Sequence, residues 1–228
     1  IALDNYYSGD KRNVEHLMAN PLFRLVRHDV TFPYFEEVDQ IYNLACPSAP
    51  VYYMHDPVMA LKTSLVGSIN VLEVAKRMRA RIVHAYHNQY GVDTRIARLF
   101  NVYGPRMALN DGKVISGFIR NALYGENITI RGNGTQTRCF LYIDDAVEAL
   151  VRMMGTDGNL SKPINIGGID PMRIDALAED VVNLTGSSSK TVRLNLTADS
   201  VQHAIPDIRY ARQRLGWEPL VPIEEGLV

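Results

Sequence analysis

Short apolar runs alternate with a longer amphipathic stretch through the first half of the chain. The runs are bounded by polar or turn residues and predict strands at residues 1–3, 25–26, 41–44, 82–83 and 96–100. Between the third and fourth runs, apolar residues recur at helical spacing over residues 58–72, after a proline that suits a helix start. This rhythm predicts an α/β fold with a doubly wound parallel sheet covered by helices on both faces.

The second half has a different pattern. Glycines separate shorter elements there, and helical spacing appears over residues 174–184 and 210–215. We therefore predict a Rossmann-like first domain at residues 1–105 and a smaller α/β lobe at residues 106–228, with some return of the chain to the first domain. Ligands of such sheets bind at the carboxyl ends of the strands.

Composition excludes several classes of function. The chain has 228 residues, of which 46% are hydrophobic and 21% are charged, and its formal net charge is -1. That charge provides no field for nucleic acid. Cys46 and Cys139 lie far apart without metal-ligand spacing, so we expect reduced, mostly buried thiols and a cytoplasmic protein. No apolar run approaches the roughly 18 residues of a membrane span, and the first residues suggest a strand rather than a signal peptide.

Two aspartates follow predicted strands. Asp4 precedes Asn5 and Gly9, where a nucleotide-binding fold places the acid that accepts hydrogen bonds from a ribose diol. Asp29 stands at the end of the next strand, and in such folds the chain passes under the adenine ring of the nucleotide at this point. An aspartate after a strand is more often a helix cap or turn residue, which is the alternative for Asp4, and the alternative for Asp29 is a loop aspartate. The glycine fingerprint GxGxxG occurs nowhere in the chain, so a phosphate-binding loop would lie upstream of Ile1.

Other candidates carry open alternatives. The small residues and prolines at positions 43–50 allow a ligand close to the backbone or form a rigid turn. The long predicted helix carries four polar residues that either bind a phosphate or carboxylate group of a ligand or are merely solvated. They are Lys62, Asn70, Lys76 and Arg77. In "GNGTQTRCFLYIDD", Arg138 enters a strand, and an arginine there needs a ligand anion or a partner such as Asp144 or Asp145.

Taken in order, several segments carry a resemblance. They are "LDNYYSGDKRNV", "HDV", "VDQIYNLACPSAP", "ALKTSLVGSINVLEVAKR", "RIARLFNVYGPRM", "NDGKVISGFI", "GNGTQTRCFLYIDD", "INIGG" and "PDIRYARQRLGWEPLVPIEEGL". The set resembles the extended short-chain dehydrogenase/reductases, the NAD-dependent epimerase/dehydratase superfamily, and among them the UDP-glucuronate decarboxylases, or UDP-xylose synthases. The 4,6-dehydratases and 4-epimerases share many of these motifs. A non-catalytic nucleotide-sugar-binding homologue is the remaining alternative.

The resemblance implies a lyase with NAD as cofactor, a Rossmann-like domain for the dinucleotide and a second lobe for the sugar. UDP-glucuronate would be oxidised at C4, lose CO2 as a β-keto acid and be reduced to UDP-xylose. The implied cofactor residues are Asp4, Asn5, Tyr7, Ser8, Gly9, Asp29, Val30, Leu44, Cys46 and Thr63. The implied substrate residues are Tyr34, Lys62, Asn70, Tyr86, Asn101, Ile128, Ile130 and Arg138, with Arg138 also catalytic. It further implies a homodimer and no metal.

The chain departs from the family in two places. The connector between residues 83 and 91 is shorter than a parallel crossover, and the family's Thr/Ser-Ser-Glu turn and helical Tyr-x-x-x-Lys pair are absent from it. Either the printed sequence joins pieces of a longer protein with a break between Val83 and Tyr86, which we expect, or the chain is a deleted and inactive protein. Ala204 also stands where the family usually has an arginine for the substrate pyrophosphate, which implies weaker affinity or another substrate.

Overall fold

The computed structural model describes residues 1–47, 49–77, 93–158, 160, 162–195 and 202–228. They form two compact units, Ile1–Thr94 and Arg95–Val228. The boundary lies earlier than the predicted one after residue 105, because strands at 97–99 and 102–103 pair with strands of the second unit. The chain is an α/β protein, as predicted, and nearly all strand pairs among the described residues are parallel.

The first unit begins with two parallel strands. β1 (Ala2–Asp4) and β2 (Leu25–Arg27) pair in the register Ala2↔Leu25, Leu3↔Val26, Asp4↔Arg27, which confirms the first two predicted strands. A 3-10 helix, Lys11–Leu17, lies between them, and the Asp10 side chain caps it. Because the strands are parallel, Asp4 and the residues after Arg27 lie at the same edge of the pair.

A long helical stretch completes the first unit. It comprises the helices Pro50–His55 and Pro57–Lys62, a π-helical segment at Thr63–Gly67, and the helix Ser68–Arg77. The Asp56 carboxylate accepts a hydrogen bond from the Met59 amide at 2.8 Å, and proline follows it at the first helical position. The predicted helix over residues 58–72 is therefore confirmed, with a local π bulge.

Two predictions for the first unit need correction. Residues 41–44 form no strand, since no described strand lies beside them to share a hydrogen-bond ladder. Cys46 is exposed rather than buried because this segment stays at the surface, whereas Cys139 is fully buried and burial raises the pKa of its thiol. The predicted strand at residues 82–83 lies outside the described residues.

The second unit contains the remaining strands and helices. Its strands are β3 (Ala97–Leu99), β4 (Val102–Tyr103), β5 (Ile128–Arg131), β6 (Thr137–Cys139), β7 (Leu141–Tyr142), β8 (Ile164–Ile166), β9 (Pro171–Arg173), β10 (Thr191–Leu194) and β11 (His203–Ala204). Its helices are Val114–Leu123, Ile143–Gly155, Ile174–Thr185, Arg209–Leu215 and Ile223–Gly226. The predicted strand at residues 96–100 and the two predicted helices are confirmed.

Strand pairing in the described part of the second unit is parallel except at one place. The parallel pairs are β3 with β8, β4 with β7, β5 with β10 and β6 with β11, while β6 and β9 are antiparallel. One core cluster gathers around Trp217, Ile164 and Ile166, and another around Ile128, Phe118 and Leu177. None of the described helices is long and apolar enough to cross a membrane.

Candidate functional site

A cavity of about 480 Å³ lies within the first unit. Its walls are β1 and the turn after it, alternate residues of the segment 28–40, residues 40–47 and one face of the following helices. Most of the predicted ligand residues of this unit line it, namely Asp4, Asn5, Tyr7, Ser8, Gly9, Val30, Tyr34, Leu44, Cys46, Thr63 and Asn70. The structure therefore brings together residues that are as far apart as positions 4 and 70 in the sequence.

The two oxygens of the Asp4 carboxylate have different surroundings. Oδ1 accepts a hydrogen bond from the Tyr6 amide at 2.7 Å, and Tyr6 has a left-handed φ of 61°. The turn interpretation is thus correct for Oδ1. Oδ2 receives no hydrogen bond from a described residue, and a Cβ on Gly9 would overlap it. Glycine at position 9 leaves this oxygen accessible.

The Asp29 carboxylate, by contrast, is occupied by protein donors. Oδ1 accepts from the amide and the hydroxyl of Thr31 at 2.9 and 2.7 Å, and Oδ2 accepts from Asn5 Nδ2 at 2.9 Å. The amide hydrogen bond from Thr31 is the main reason that the pKa of Asp29 is lowered. Asp29 does not line the cavity. It positions Asn5, and so ties the turn after β1 to the turn after β2.

Val30 is where the helix and the strand pair meet. Asn70 Nδ2 donates to the Val30 carbonyl oxygen at 2.9 Å, so the Asn70 amide nitrogen has a structural partner. A Cβ on Gly67 would lie 2.7 Å from a Val30 methyl carbon, which shows how closely the helix approaches. Thr63 is 8% exposed and its hydroxyl contacts the Met59 sulfur at 3.4 Å. These contacts fix the helical wall of the cavity.

Lys62 does not reach the cavity. Neighbouring residues of a helix point about 100° apart, so Thr63 faces inward while Lys62 is exposed. Lys62 therefore does not line this cavity, and its predicted contact with the nucleotide sugar stays a prediction. The side chains of Lys76 and Arg77, and the whole of Tyr86, lie outside the described residues.

Sequence reasoning missed a polar group on the same cavity. Tyr34 donates its hydroxyl to Glu36 Oε2 at 3.0 Å, Glu36 also pairs with Arg24, and the His28 ring lies 5.1 Å from the Tyr34 ring. Burial and the hydrogen bond to Glu36 raise the pKa of Tyr34. Every second residue from 28 to 36 lines the cavity, and this alternation was the signal that could have identified Glu36 as a cavity residue.

Arg138 lies in the second unit, half-buried on β6. Its Nη1 donates to the Thr137 carbonyl oxygen at 2.7 Å. It forms no ion pair with a described residue, so the predicted alternative of a structural pair with Asp144 or Asp145 is wrong. Its other guanidinium N–H groups donate to no acceptor among the described residues, and an anion is the partner that such a fork binds best. Ala204 lies directly opposite on β11, in the register Ala204↔Arg138.

The other predicted residues of the second unit have structural roles. Asn101 has a left-handed φ of 43°, donates from Nδ2 to the Cys139 carbonyl oxygen at 2.9 Å and accepts from the Leu141 amide at 3.2 Å. The side chains of Ile128 and Ile130 are 0% and 2% exposed in the core. Ile128 and Ile130 could therefore contact a uracil only through their main-chain groups.

One Tyr-x-x-x-Lys spacing does occur in the sequence. It joins Tyr7 to Lys11 across Gly9, and it lies in a turn that ends where the 3-10 helix begins. Tyr7 lines the cavity and its ring lies 5.4 Å from that of Tyr52. Because the segment is not helical, Tyr7 and Lys11 do not share a helix face as residues four apart on a helix do. The described residues contain no group of three or more potential metal ligands.

Comparisons with known proteins identify the family. Residues 73–167 match the NAD dependent epimerase/dehydratase family. The UDP-glucuronic acid decarboxylase 6 of Arabidopsis thaliana is 40% identical, over 100% of this chain and 78% of the relative. The alignment spans 271 positions against 228 residues here, so about 43 positions have no counterpart in this chain. The predicted break near residues 83–85 lies outside the described residues.

Solved structures agree on the fold. The dTDP-glucose 4,6-dehydratase of Streptomyces venezuelae, solved with NAD bound, has a TM-score of 0.86 at 21% identity, over 99% of this chain and 84% of that one. The UDP-glucuronic acid 4-epimerase of Bacillus cereus, solved with UDP-glucuronic acid and NAD, has a TM-score of 0.83 at 23% identity, over 95% and 82%. By its identity to the curated relatives over its whole length, the chain belongs to the UDP-glucuronic acid decarboxylase family of NAD-dependent epimerase/dehydratase proteins.

Proposed function

We propose that this protein decarboxylates UDP-glucuronate to UDP-xylose with NAD as cofactor. The observation that carries the proposal is the 40% identity to a UDP-glucuronic acid decarboxylase over the whole chain. Oxidation at C4 turns the C5 carboxylate into a β-keto acid, so that CO2 leaves while the electrons are held as an enolate. Protonation of the enolate at C5 restores the C4 ketone, and return of the hydride with a proton to C4 then gives UDP-xylose, with no net consumption of cofactor.

The residues at the carboxyl end of β1 fit a dinucleotide. Asp4 Oδ2 has no described donor and Gly9 leaves space beside it, which suits an acceptor for the two hydroxyls of a ribose. Asn5 is held in place by Asp29, and Leu44, Cys46 and Thr63 line the same cavity. When bound, NAD would accept a hydride from the sugar and later return it. The chain's own contribution here is to bind and orient the adenosine end.

Arg138 is the residue we assign to the substrate. Its guanidinium has only the Thr137 carbonyl oxygen as an acceptor among the described residues. It matches the family's arginine, so it would bind the charged sugar nucleotide. A fixed cation also stabilises the negative charge that develops as CO2 leaves. We assign Arg138 to both binding and this step. Tyr34, Asn70, Asn101 and main-chain groups of β5 are proposed as further substrate contacts.

A second candidate is a nucleotide-sugar-binding homologue without turnover. The observation that favours it is the position of the chain's Tyr-x-x-x-Lys spacing, which lies at Tyr7–Lys11 in a turn rather than on a helix. A tyrosine that removes a proton from a sugar hydroxyl needs a nearby cation to lower its pKa. Both candidate functions predict binding of the nucleotide sugar, and only the decarboxylase predicts its conversion to a product.

The experiment that separates them uses carboxyl-labelled UDP-glucuronate and NAD without added reductant. Decarboxylation predicts labelled CO2 and UDP-xylose, with UDP-glucose left unchanged. Arg138→Ala should abolish turnover, whereas Arg214→Ala, at an exposed arginine on the helix Arg209–Leu215, should not. Conversion of UDP-glucose would indicate an epimerase or dehydratase. Binding of NAD and UDP-glucuronate by calorimetry without any product would establish the non-catalytic homologue.

We also propose a cytoplasmic homodimer. The apolar residues of the helical stretch are largely exposed, with Val58 at 62%, Leu61 at 65% and Leu65 at 58%, and such a face is typical of a helix that packs on a partner subunit. The two free cysteines suit a reducing compartment. In the same proposal the first unit holds NAD and the second holds the nucleotide sugar. Sedimentation of the protein tests the dimer.

A further inference from the structure

The sequence contains a single Asn-Gly pair, Asn133–Gly134, in the turn between β5 and β6. Asparagine is a thermolabile residue, because the main-chain nitrogen of the next residue can attack its side-chain carbonyl carbon. A side chain on that next residue obstructs the approach, and glycine has none. Asn133 is also exposed, so water has access to the product of the attack.

The side-chain carbonyl of Asn133 is held by two hydrogen-bond donors. Oδ1 accepts from the Thr135 amide at 3.1 Å and from the Thr135 hydroxyl at 2.7 Å. Attack at Cγ moves negative charge onto Oδ1, and donors at these distances stabilise such a charge. The nitrogens that react are not held, since neither Gly134 N–H nor Asn133 Nδ2 donates to an acceptor among the described residues.

The turn itself requires glycine at position 134. Gly134 has a left-handed φ of 83°, and a Cβ there would lie 2.8 Å from the Asp175 Cβ. The Gly134 carbonyl oxygen accepts from the Asp175 amide at 3.1 Å, which attaches the turn to the start of the helix Ile174–Thr185. The geometry of the turn therefore keeps beside Asn133 the residue that leaves it most open to attack.

We propose that Asn133 is a site of spontaneous deamidation in the folded protein. The Gly134 nitrogen bonds to Asn133 Cγ, the Cγ–Nδ2 bond breaks, and the Gly134 proton leaves with the amide nitrogen as ammonia, which closes a succinimide ring. Water then opens the ring at one of its two carbonyl carbons. Opening at Cγ gives aspartate, and opening at the main-chain carbonyl carbon gives isoaspartate. In total one water is consumed and one ammonia is released, without any redox change.

The two products differ in their effect on β6. Aspartate keeps an oxygen at the place of Oδ1, so the hydrogen bonds from Thr135 persist. Isoaspartate routes the main chain through Cγ, which lengthens the turn by one carbon and removes that acceptor. The turn leads into β6, which carries Arg138. Isoaspartate should therefore displace Arg138 and weaken substrate binding, a consequence that rests on the proposed function.

The first experiment ages the full chain at mildly alkaline pH and follows each asparagine by peptide mapping with mass spectrometry. We expect Asn133 to convert in the folded chain at least as fast as in the urea-unfolded chain, while Asn127 and Asn183, which precede isoleucine and leucine, stay intact. The matched variant Thr135→Val keeps the shape of the side chain and removes the hydroxyl donor. It should slow the folded-state reaction by about threefold to tenfold, the worth of one hydrogen bond, and leave the unfolded-state rate unchanged.

Two results of this experiment would overturn the proposal. One is slower conversion of Asn133 in the folded chain than in urea, since the turn would then protect the amide. The other is an equal folded-state rate in the wild type and in Thr135→Val, because the donors to Oδ1 would then play no part. Neither result depends on NAD, on a nucleotide sugar or on turnover.

The second experiment separates the two products and needs no ligand for its first readout. Hydrogen exchange at β6 should become faster in aged protein in proportion to its isoaspartate content, whereas fresh Asn133→Asp should exchange like fresh wild type. The affinity for UDP-glucuronate, measured by calorimetry, should follow the same order. Equal effects in Asn133→Asp and in aged protein would contradict the role of the lengthened main chain. Fresh wild type that fails to bind UDP-glucuronate would count against the proposed function, while the exchange data would still decide the effect on β6.

Discussion

Asp145 holds the segment after Trp217 against the helix Ile143–Gly155. Its carboxylate Oδ2 accepts hydrogen bonds from the amides of Leu220 and Val221, both at 3.0 Å, and the residue is 7% exposed. Asp145→Ala leaves two N–H groups without their acceptor. A hydrogen bond to a charged group contributes about 1.5 to 3 kcal/mol. We therefore expect the free energy of unfolding of the second unit to fall by about 3 to 5 kcal/mol.

The assay is urea unfolding followed by fluorescence. Trp217 is the single tryptophan, is 2% exposed and donates its indole N–H to the Asp145 carbonyl oxygen at 3.0 Å, so it reports on this contact. With a slope of about 2 kcal/mol per M, the midpoint should fall by about 1.5 to 2.5 M. Asp144→Ala, at the exposed neighbour, should change stability by less than about 0.5 kcal/mol. A similar loss in both variants would refute the reasoning.

Three further predictions concern the candidate site. Gly9→Ala should lower the affinity for NAD, measured by calorimetry, at least several-fold, because the added Cβ would displace the Asp4 carboxylate. Gly117→Ala should leave the affinity unchanged, because no atom lies within 4 Å of its added Cβ. Asp29 has a lowered pKa, so the stability that its carboxylate contributes is present above about pH 3.9 and is lost as pH falls through the folded-state pKa. The difference in melting temperature between the wild type and Asp29→Asn should therefore shrink as the pH falls below about 3.9. A difference that stays constant over this pH range would contradict the role of Asp29. Ala204→Arg should tighten UDP-glucuronate binding by about tenfold, since a second cation beside Arg138 is worth about 1.4 kcal/mol or more to a diphosphate; unchanged affinity would contradict that placement.

Elements with strong local signals were predictable from the sequence. Pro57 and the apolar spacing after it identified the long helix, and the glycine at position 186 ends the helix Ile174–Thr185 in a left-handed conformation with φ of 59°. The strands Ala2–Asp4 and Leu25–Arg27 were found from short apolar runs. In each case the residues that determine the element lie within it or next to it.

Features that depend on distant partners were not predictable. The segment 41–44 has the apolar pattern of a strand, but its conformation depends on neighbours that the pattern does not contain. Lys62 and Thr63 are adjacent in sequence and both are polar, so it is the rotation of the helix that decides that Thr63 faces the cavity. Glu36 was missed because its role depends on Tyr34 and Arg24, and a lone glutamate gives no signal.

The two strand-end aspartates show how position and role separate. Parallel pairing places Asp4 and Asp29 at the same edge of the sheet, and the sequence was sufficient for that. Their roles follow from which carboxylate oxygens stay free, and this is decided by the hydrogen bond between Asn5 and Asp29 across 24 residues. Asp29 is saturated by Asn5 and Thr31, whereas Asp4 keeps Oδ2 beside Gly9. A ribose diol at this edge would therefore contact Asp4, and Asp29 would act on it only through the orientation of Asn5.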